Sequence, residues 1–216
     1  MFGLLTFLSS CTQDDTNPKV ELFFGQEFIQ LKTGNEAIFQ VDSTIYDEFS
    51  GRIKIVSFQQ KEVITTEEKD AANRSTYLVE IHKRTNDTLP WRLDRITRRT
   101  LTSHRFEVLD NNILTVPLIF PIKNGEKWNV NILNARNEQE YEYSALNESI
   151  NIRSVTYDST VTILQGSEEN LVERILEEEV YAKGIGLVQR THNNLETELN
   201  GDIRSGFEVK ITLLSP

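Results

Sequence analysis

The chain has 216 residues, 38% hydrophobic and 26% charged, with ten glycines and five prolines. That composition is globular, long enough for one sizeable core, and excludes a disordered or fibrous protein. Acidic residues outnumber basic ones 33 to 23, for a net charge of −10, which repels nucleic-acid phosphates and sets nucleic acid aside as a partner.

Residues 1–8 form an apolar run, far shorter than the ~20 residues a membrane-spanning helix takes. Leu8, Ser9, Ser10 and Cys11 follow. They resemble the lipobox of bacterial lipoprotein signals, with a branched apolar residue, two small residues and then the cysteine that is acylated and becomes the first mature residue. The resemblance implies a signal peptide over 1–10, palmitate-type acylation of Cys11 and export to a bacterial membrane. The outer membrane is the expected one. The run departs from a standard signal in having no Lys or Arg ahead of it. Each buried CH₂ contributes ~0.8 kcal/mol, so firm anchoring takes more than one acyl chain. Residues 11–20 are polar and turn-rich and read as a tether, with Asp14 and Asp15 just after the cysteine. Cys11 is the only cysteine, which excludes an internal disulfide and any paired-cysteine metal site.

From residue 21 to 216 the chain reads as a single all-β, mainly antiparallel domain, because alternation of period two recurs. Phe39, Val41 and Ile45 alternate with polar residues, as do Tyr77, Val79 and Ile81. The stretch 114–122 carries Pro117 and Pro121 and suits an edge strand. Asn124-Gly125 and Asn200-Gly201 are hairpin dipeptides, and Gly51 and Gly166 punctuate similarly. Trp128, Val130 and Ile132 predict a strand, as do Val155 to Ile163 and Phe207 to Leu213. Residues 168–180 fit a helical face through Leu171, Val172, Ile175 and Leu176, but strands on both sides of the turn at 182–186 are favoured.

Three pieces, Phe39–Asp47, Leu118–Lys123 with Trp128, and above all Glu179–Val188 with its Tyr-Ala-Lys-Gly-Ile-Gly-Leu-Val core, are similar to a group of uncharacterised lipoproteins of Bacteroidetes-type envelopes. The resemblance implies one curved antiparallel sheet, a half-barrel or open barrel, behind a lipobox. It implies no activity. Read physically, Gly184 and Gly186 mark a structural turn.

There is no nucleophile elbow around a serine. His82, His104 and His192 lack partners at ligand spacing, so no metal or other cofactor is expected; His82 is expected to face solvent. Glu177, Glu178 and Glu179 are a candidate acid/base group but read as a solvated acidic surface. Arg92, Arg95, Arg98, Arg99 and Arg105 form a basic stripe beside Trp91, a candidate site for anionic lipid or an envelope partner, or a match for the chain's own Glu-rich stretch. The expected function is a lipid-anchored envelope protein with a binding or assembly role toward an apolar ligand or an outer-membrane partner. The alternatives are an exported hydrolase of glycan or lipid, or a structural subunit.

Overall fold

The computed structural model describes residues 25–215; the lipobox, the tether and residues 21–24 lie outside the described residues. After one 3₁₀ turn (Gln26–Phe28) come β1 (Glu36–Asp47), β2 (Arg52–Lys69), β3 (Ser75–Arg84), β4 (Arg92–Leu101), β5 (Arg105–Asp110) and β6 (Ile113–Ile119). Then follow β7 (Lys127–Asn129), β8 (Glu140–Ile152), β9 (Val155–Glu169), β10 (Glu173–Ala182), β11 (Gly186–Thr197) and β12 (Ile203–Ser215). All twelve make one antiparallel sheet in the order β6-β5-β4-β3-β2-β1-β12-β11-β10-β9-β8-β7. The all-β class is the one read from the alternation, and the curved, open-barrel sheet is the one the resemblance implies.

Neighbours in the chain are neighbours in the sheet, with two departures. β1 pairs with β12, while β6 and β7, consecutive in sequence, stand at the two edges. The edges meet through separate bonds. The Val116 N–H donates to Val130 O at 2.9 Å, Trp128 Nε1 to Val116 O at 2.8 Å, and Asn134 Nδ2 to Leu114 O at 2.8 Å. Tyr143, from β8, donates its hydroxyl to Ile119 O at 2.7 Å and accepts the Ile119 N–H at 3.0 Å. Trp128 packs on Tyr143 with ring centroids 4.5 Å apart. The sheet is thereby curled into a nearly closed barrel whose seam lies between β6 and β7. Pro117 sits on β6, an edge as expected, where a missing N–H costs no ladder bond.

Local chemistry explains where strands stop. Asn170 Oδ1 accepts the N–H groups of Val172 and Glu173, both at 2.9 Å, which turns β9 into β10 and makes residues 173–180 strand and not helix. The strand predicted through Ile132 ends at Asn129 instead. Asn129 Oδ1 captures the N–H groups of Asn131 and Gln139, so the ladder gives way to a side-chain-capped loop and Ile132 is exposed. Gly166 lies inside β9 opposite Glu177 and marks no turn. Asn124-Gly125 lies in the link between the two edge strands, with the Gly125 N–H donating to Tyr143 O at 2.8 Å, and closes no hairpin.

The main core cluster joins Phe28 of the 3₁₀ turn to Phe106, Leu118, Trp128, Tyr143 and Ile163. The N-terminal turn plugs this end of the barrel. Gln26 Nε2 donates to Thr102 O at 2.9 Å, and the Gly184 N–H donates to Glu27 O at 2.8 Å. A second cluster draws Phe39, Ile152, Val180, Val188 and Leu213 from β1, β8, β10, β11 and β12. Outside, Gln40, Asp42, Glu80, Arg98 and Lys210 alternate with inward residues. No described helix is long and apolar enough to cross a membrane.

Candidate functional site

The inner faces enclose a cavity of about 1140 Å³. One part of its wall is apolar, with Phe39, Phe58, Ile64, Ile81 and Phe106 drawn from β1, β2, β3 and β5. The other part is charged, with Glu62, Arg95, Arg99, Glu179 and Arg190 from β2, β4, β10 and β11. Successive strand residues point to opposite faces. Glu62 therefore shares the inner face with Gln60 and Ile64, Arg99 with Arg95 and Thr97, and Glu179 with Glu177 and Tyr181.

These charges form a connected group. Arg99 Nη2 donates to Glu62 Oε2 at 2.5 Å, reaching across β3. Arg190 Nε donates to Glu179 Oε1 at 2.7 Å, and its Nη2 stands 2.6 Å from the same oxygen. Tyr181 donates its hydroxyl to Glu179 Oε2 at 2.6 Å. Arg95 Nε donates to Asp110 Oδ2 at 3.0 Å, while His192 Nε2 lies 2.9 Å from Glu177 Oε1. Burial alone raises a carboxyl pKa, but the Glu62 carboxyl lies below its ordinary value. Arg99 beside it, with Arg190 and Arg95 farther off, outweighs the desolvation. The Arg190 guanidinium is shifted up, chiefly by Glu179. The Tyr181 phenol is pushed well above 10 by burial, with the Glu179 charge adding to it. At neutral pH the group is therefore ionised at Glu62 and Arg190 and neutral at Tyr181.

The basic stripe does not form one surface. Arg95 and Arg99 line the cavity, whereas Arg98, one residue away, points outward and pairs with Glu68 at 3.1 Å. Arg105 Nε donates to Glu107 Oε1 at 2.6 Å; Glu107 is 2% exposed and also meets Arg74 at 3.0 Å. Arg92 is exposed. The carboxylates that meet the stripe, Glu62, Glu68, Asp94, Glu107 and Asp110, all lie outside the Glu-rich stretch 168–179.

That stretch needs a correction as well. Glu177 and Glu179 face the cavity, and Glu179 is only 5% exposed, while Glu178 between them projects the other way. A run of three glutamates has the composition of a surface, but on a strand its alternate members face opposite sides of the sheet. Parity also flags Glu62, two residues from Ile64. The same rule marks Arg190, two residues from the fully buried Val188.

His82 is partly buried on the outer face, 3.4 Å from Glu80, so solvent does not fully surround it. His104 Nδ1 meets Ser103 Oγ at 2.8 Å. Among the described residues no three His, Cys, Asp or Glu side chains gather as a metal site. Gly184 and Gly186 have φ of 74° and 105° in the turn from β10 to β11, conformations glycine takes without strain, and the turn holds the N-terminal plug. Leu8, Ser9, Ser10 and Cys11 lie outside the described residues.

No family model and no curated protein matches the chain. Among solved structures, the chain is similar to a candidate lipoprotein of Parabacteroides distasonis ATCC 8503, with a TM-score of 0.41 and 12% identity over 86% of this chain and 96% of that one.

Proposed function

We propose that this is a lipid-anchored envelope protein that binds an amphipathic small molecule inside its barrel. The observation that carries the reading is the cavity of about 1140 Å³, apolar on one part of its wall and charged on another. Such a pocket, concave and mixed in polarity, is the ordinary form of a small-molecule site. The lipobox supports the anchor at Cys11.

Binding suits the charges better than hydrolysis. A glycosidase acid needs a carboxyl whose pKa is raised toward neutrality. Glu62 is shifted down, and Glu179 is hydrogen-bonded by Arg190 and Tyr181. Fixed, paired charges orient a ligand without exchanging protons with it.

Two measurements test the reading. Palmitate labelling of cells producing the chain should be lost in Cys11→Ala; equal labelling in both removes the anchor. Organic extraction of the purified full chain, followed by mass spectrometry, should release a co-purifying amphiphile that is absent when Phe58 and Ile81 are both replaced by Trp to fill the cavity. An identical extract from both proteins removes the cavity as the binding site.

A further inference from the structure

We infer that the charged part of the cavity wall seats the oxyanion headgroup, carboxylate or phosphate, of an acyl amphiphile, with Arg99 and Arg190 as the residues that hold it. The inference rests on the cavity being the ligand site and adds the chemistry of the ligand.

Hydrogen-bond capacity distinguishes the charges of the wall. Asp110, at Arg95, keeps a buried Oδ1 without a hydrogen bond, but the carboxylates beside Arg99 and Arg190 are engaged at both oxygens. Glu62 accepts from Arg99 at Oε2 and from Gln60 Nε2 at Oε1, the latter at 3.1 Å. Glu179 accepts from Arg190 at Oε1 and from Tyr181 at Oε2. The guanidiniums are not. Arg99 gives the protein one hydrogen bond, through Nη2, and its Nε and Nη1 give none. Arg190 is engaged through Nε and Nη2, and its Nη1 gives none. Arg190 keeps 41% and Arg99 23% of their side-chain surface accessible, and both line the cavity.

The unused capacity around Arg99 and Arg190 is thus donor capacity on planar cations. Its complement is a ligand group made of acceptors, and a guanidinium matches a carboxylate or phosphate with parallel N–H groups. A polyol brings as many donors as acceptors and would find Glu62 and Glu179 already engaged. A cationic headgroup meets the two guanidiniums. The apolar part of the wall, with Phe39, Phe58, Ile64, Ile81 and Phe106, takes a hydrocarbon tail by the same burial that builds a core. Glu62 and Glu179 hold the guanidiniums in place as fixed counter-charges, so the seat exists before the ligand arrives.

The test is calorimetric titration of the full chain carrying Cys11→Ser with decanoate, decyl phosphate and 1-decanol, which share a tail and differ in headgroup. Decanoate or decyl phosphate should bind about tenfold or more tighter than decanol, as a charge-assisted hydrogen bond warrants. Whichever oxyanion binds tighter names the headgroup. Arg99→Gln should erase that preference and leave decanol affinity unchanged, while Arg98→Gln, on the outer face, should change none of the three. Equal affinity of wild type for decanol and both oxyanions overturns the headgroup assignment and leaves the cavity reading standing, and this comparison holds even if Arg99→Gln does not fold. Loss of preference in both arginine variants alike also overturns it. No binding of any of the three overturns the cavity reading together with the inference.

Discussion

At the end of the barrel that holds the N-terminal turn, Phe28 is fully buried and the turns at 102–104 and 183–185 close over it. At the opposite end, Phe49, Leu171 and Leu199 sit in water on the turns of three hairpins. The sequences differ little in hydrophobicity; what differs is the strand facing them. β2 pairs with β3 only from Gln59 onward, but its ladder with β1 runs on to Asp47 opposite Arg52. The first residues of β2 therefore overhang the barrel, and Ile53 and Ile55 are exposed although they lie in a well-paired strand. Burial in this fold is decided by how many layers a strand reaches, and only secondarily by its pattern.

The contrast can be broken by substitution. Phe28→Ala should cost about 3–5 kcal/mol in denaturant unfolding, because it empties the plugged end. Tyr143→Phe should cost about 1–3 kcal/mol, since it leaves the N–H and C=O of Ile119 without their side-chain partner at the seam. A smaller, pH-dependent effect belongs to Glu62. Its folded pKa lies below the ordinary value of 4.5, so between the two values the unfolded state binds more protons and stability rises with pH. The advantage of wild type over Glu62→Gln should be fully present above pH 4.5 and decline as pH falls through the folded value, as read from urea midpoints at stepped pH. At the open end, Phe49→Ser should shift stability by no more than about 0.5 kcal/mol. A cost at Phe49 comparable to that at Phe28 would mean that the hairpin end is covered in solution.

Much of the fold was legible in the chain. The alternation through Tyr77, Val79 and Ile81, the glycine turn at Gly51 and the edge-seeking Pro117 each act on local backbone, and local rules read them. The pairing of β1 with β12 was not legible, because it joins residues with no sequence proximity. The extent of β7 was missed because an asparagine side chain, and not hydrophobicity, ends it. The site was half legible. Arg95 and Arg99 stood out as cations, and parity alone separates them from Arg98 once Thr97 is known to face inward. That Arg99 would meet Glu62, and Arg190 would meet Glu179, depends on how the sheet curls, which no single strand records.

The placement of the seam has a consequence for how the chain reaches this state. Each six-strand meander, β1 to β6 and β7 to β12, is built from hairpins that close short loops. Only the β1–β12 ladder joins strands so distant in the chain, with Ile38 opposite Ser215 and the Tyr46 hydroxyl donating to Glu208, 162 residues away. Closing so long a loop costs entropy before any contact returns it. The two meanders and the seam, whose bonds span only 12 to 24 residues, are thus expected to form first, with docking along β1 and β12 limiting the folding rate. Ser43→Gly in that ladder and Tyr143→Phe at the seam should both slow refolding in stopped-flow chevrons. Faster unfolding of Tyr143→Phe with refolding unchanged would place seam closure after docking.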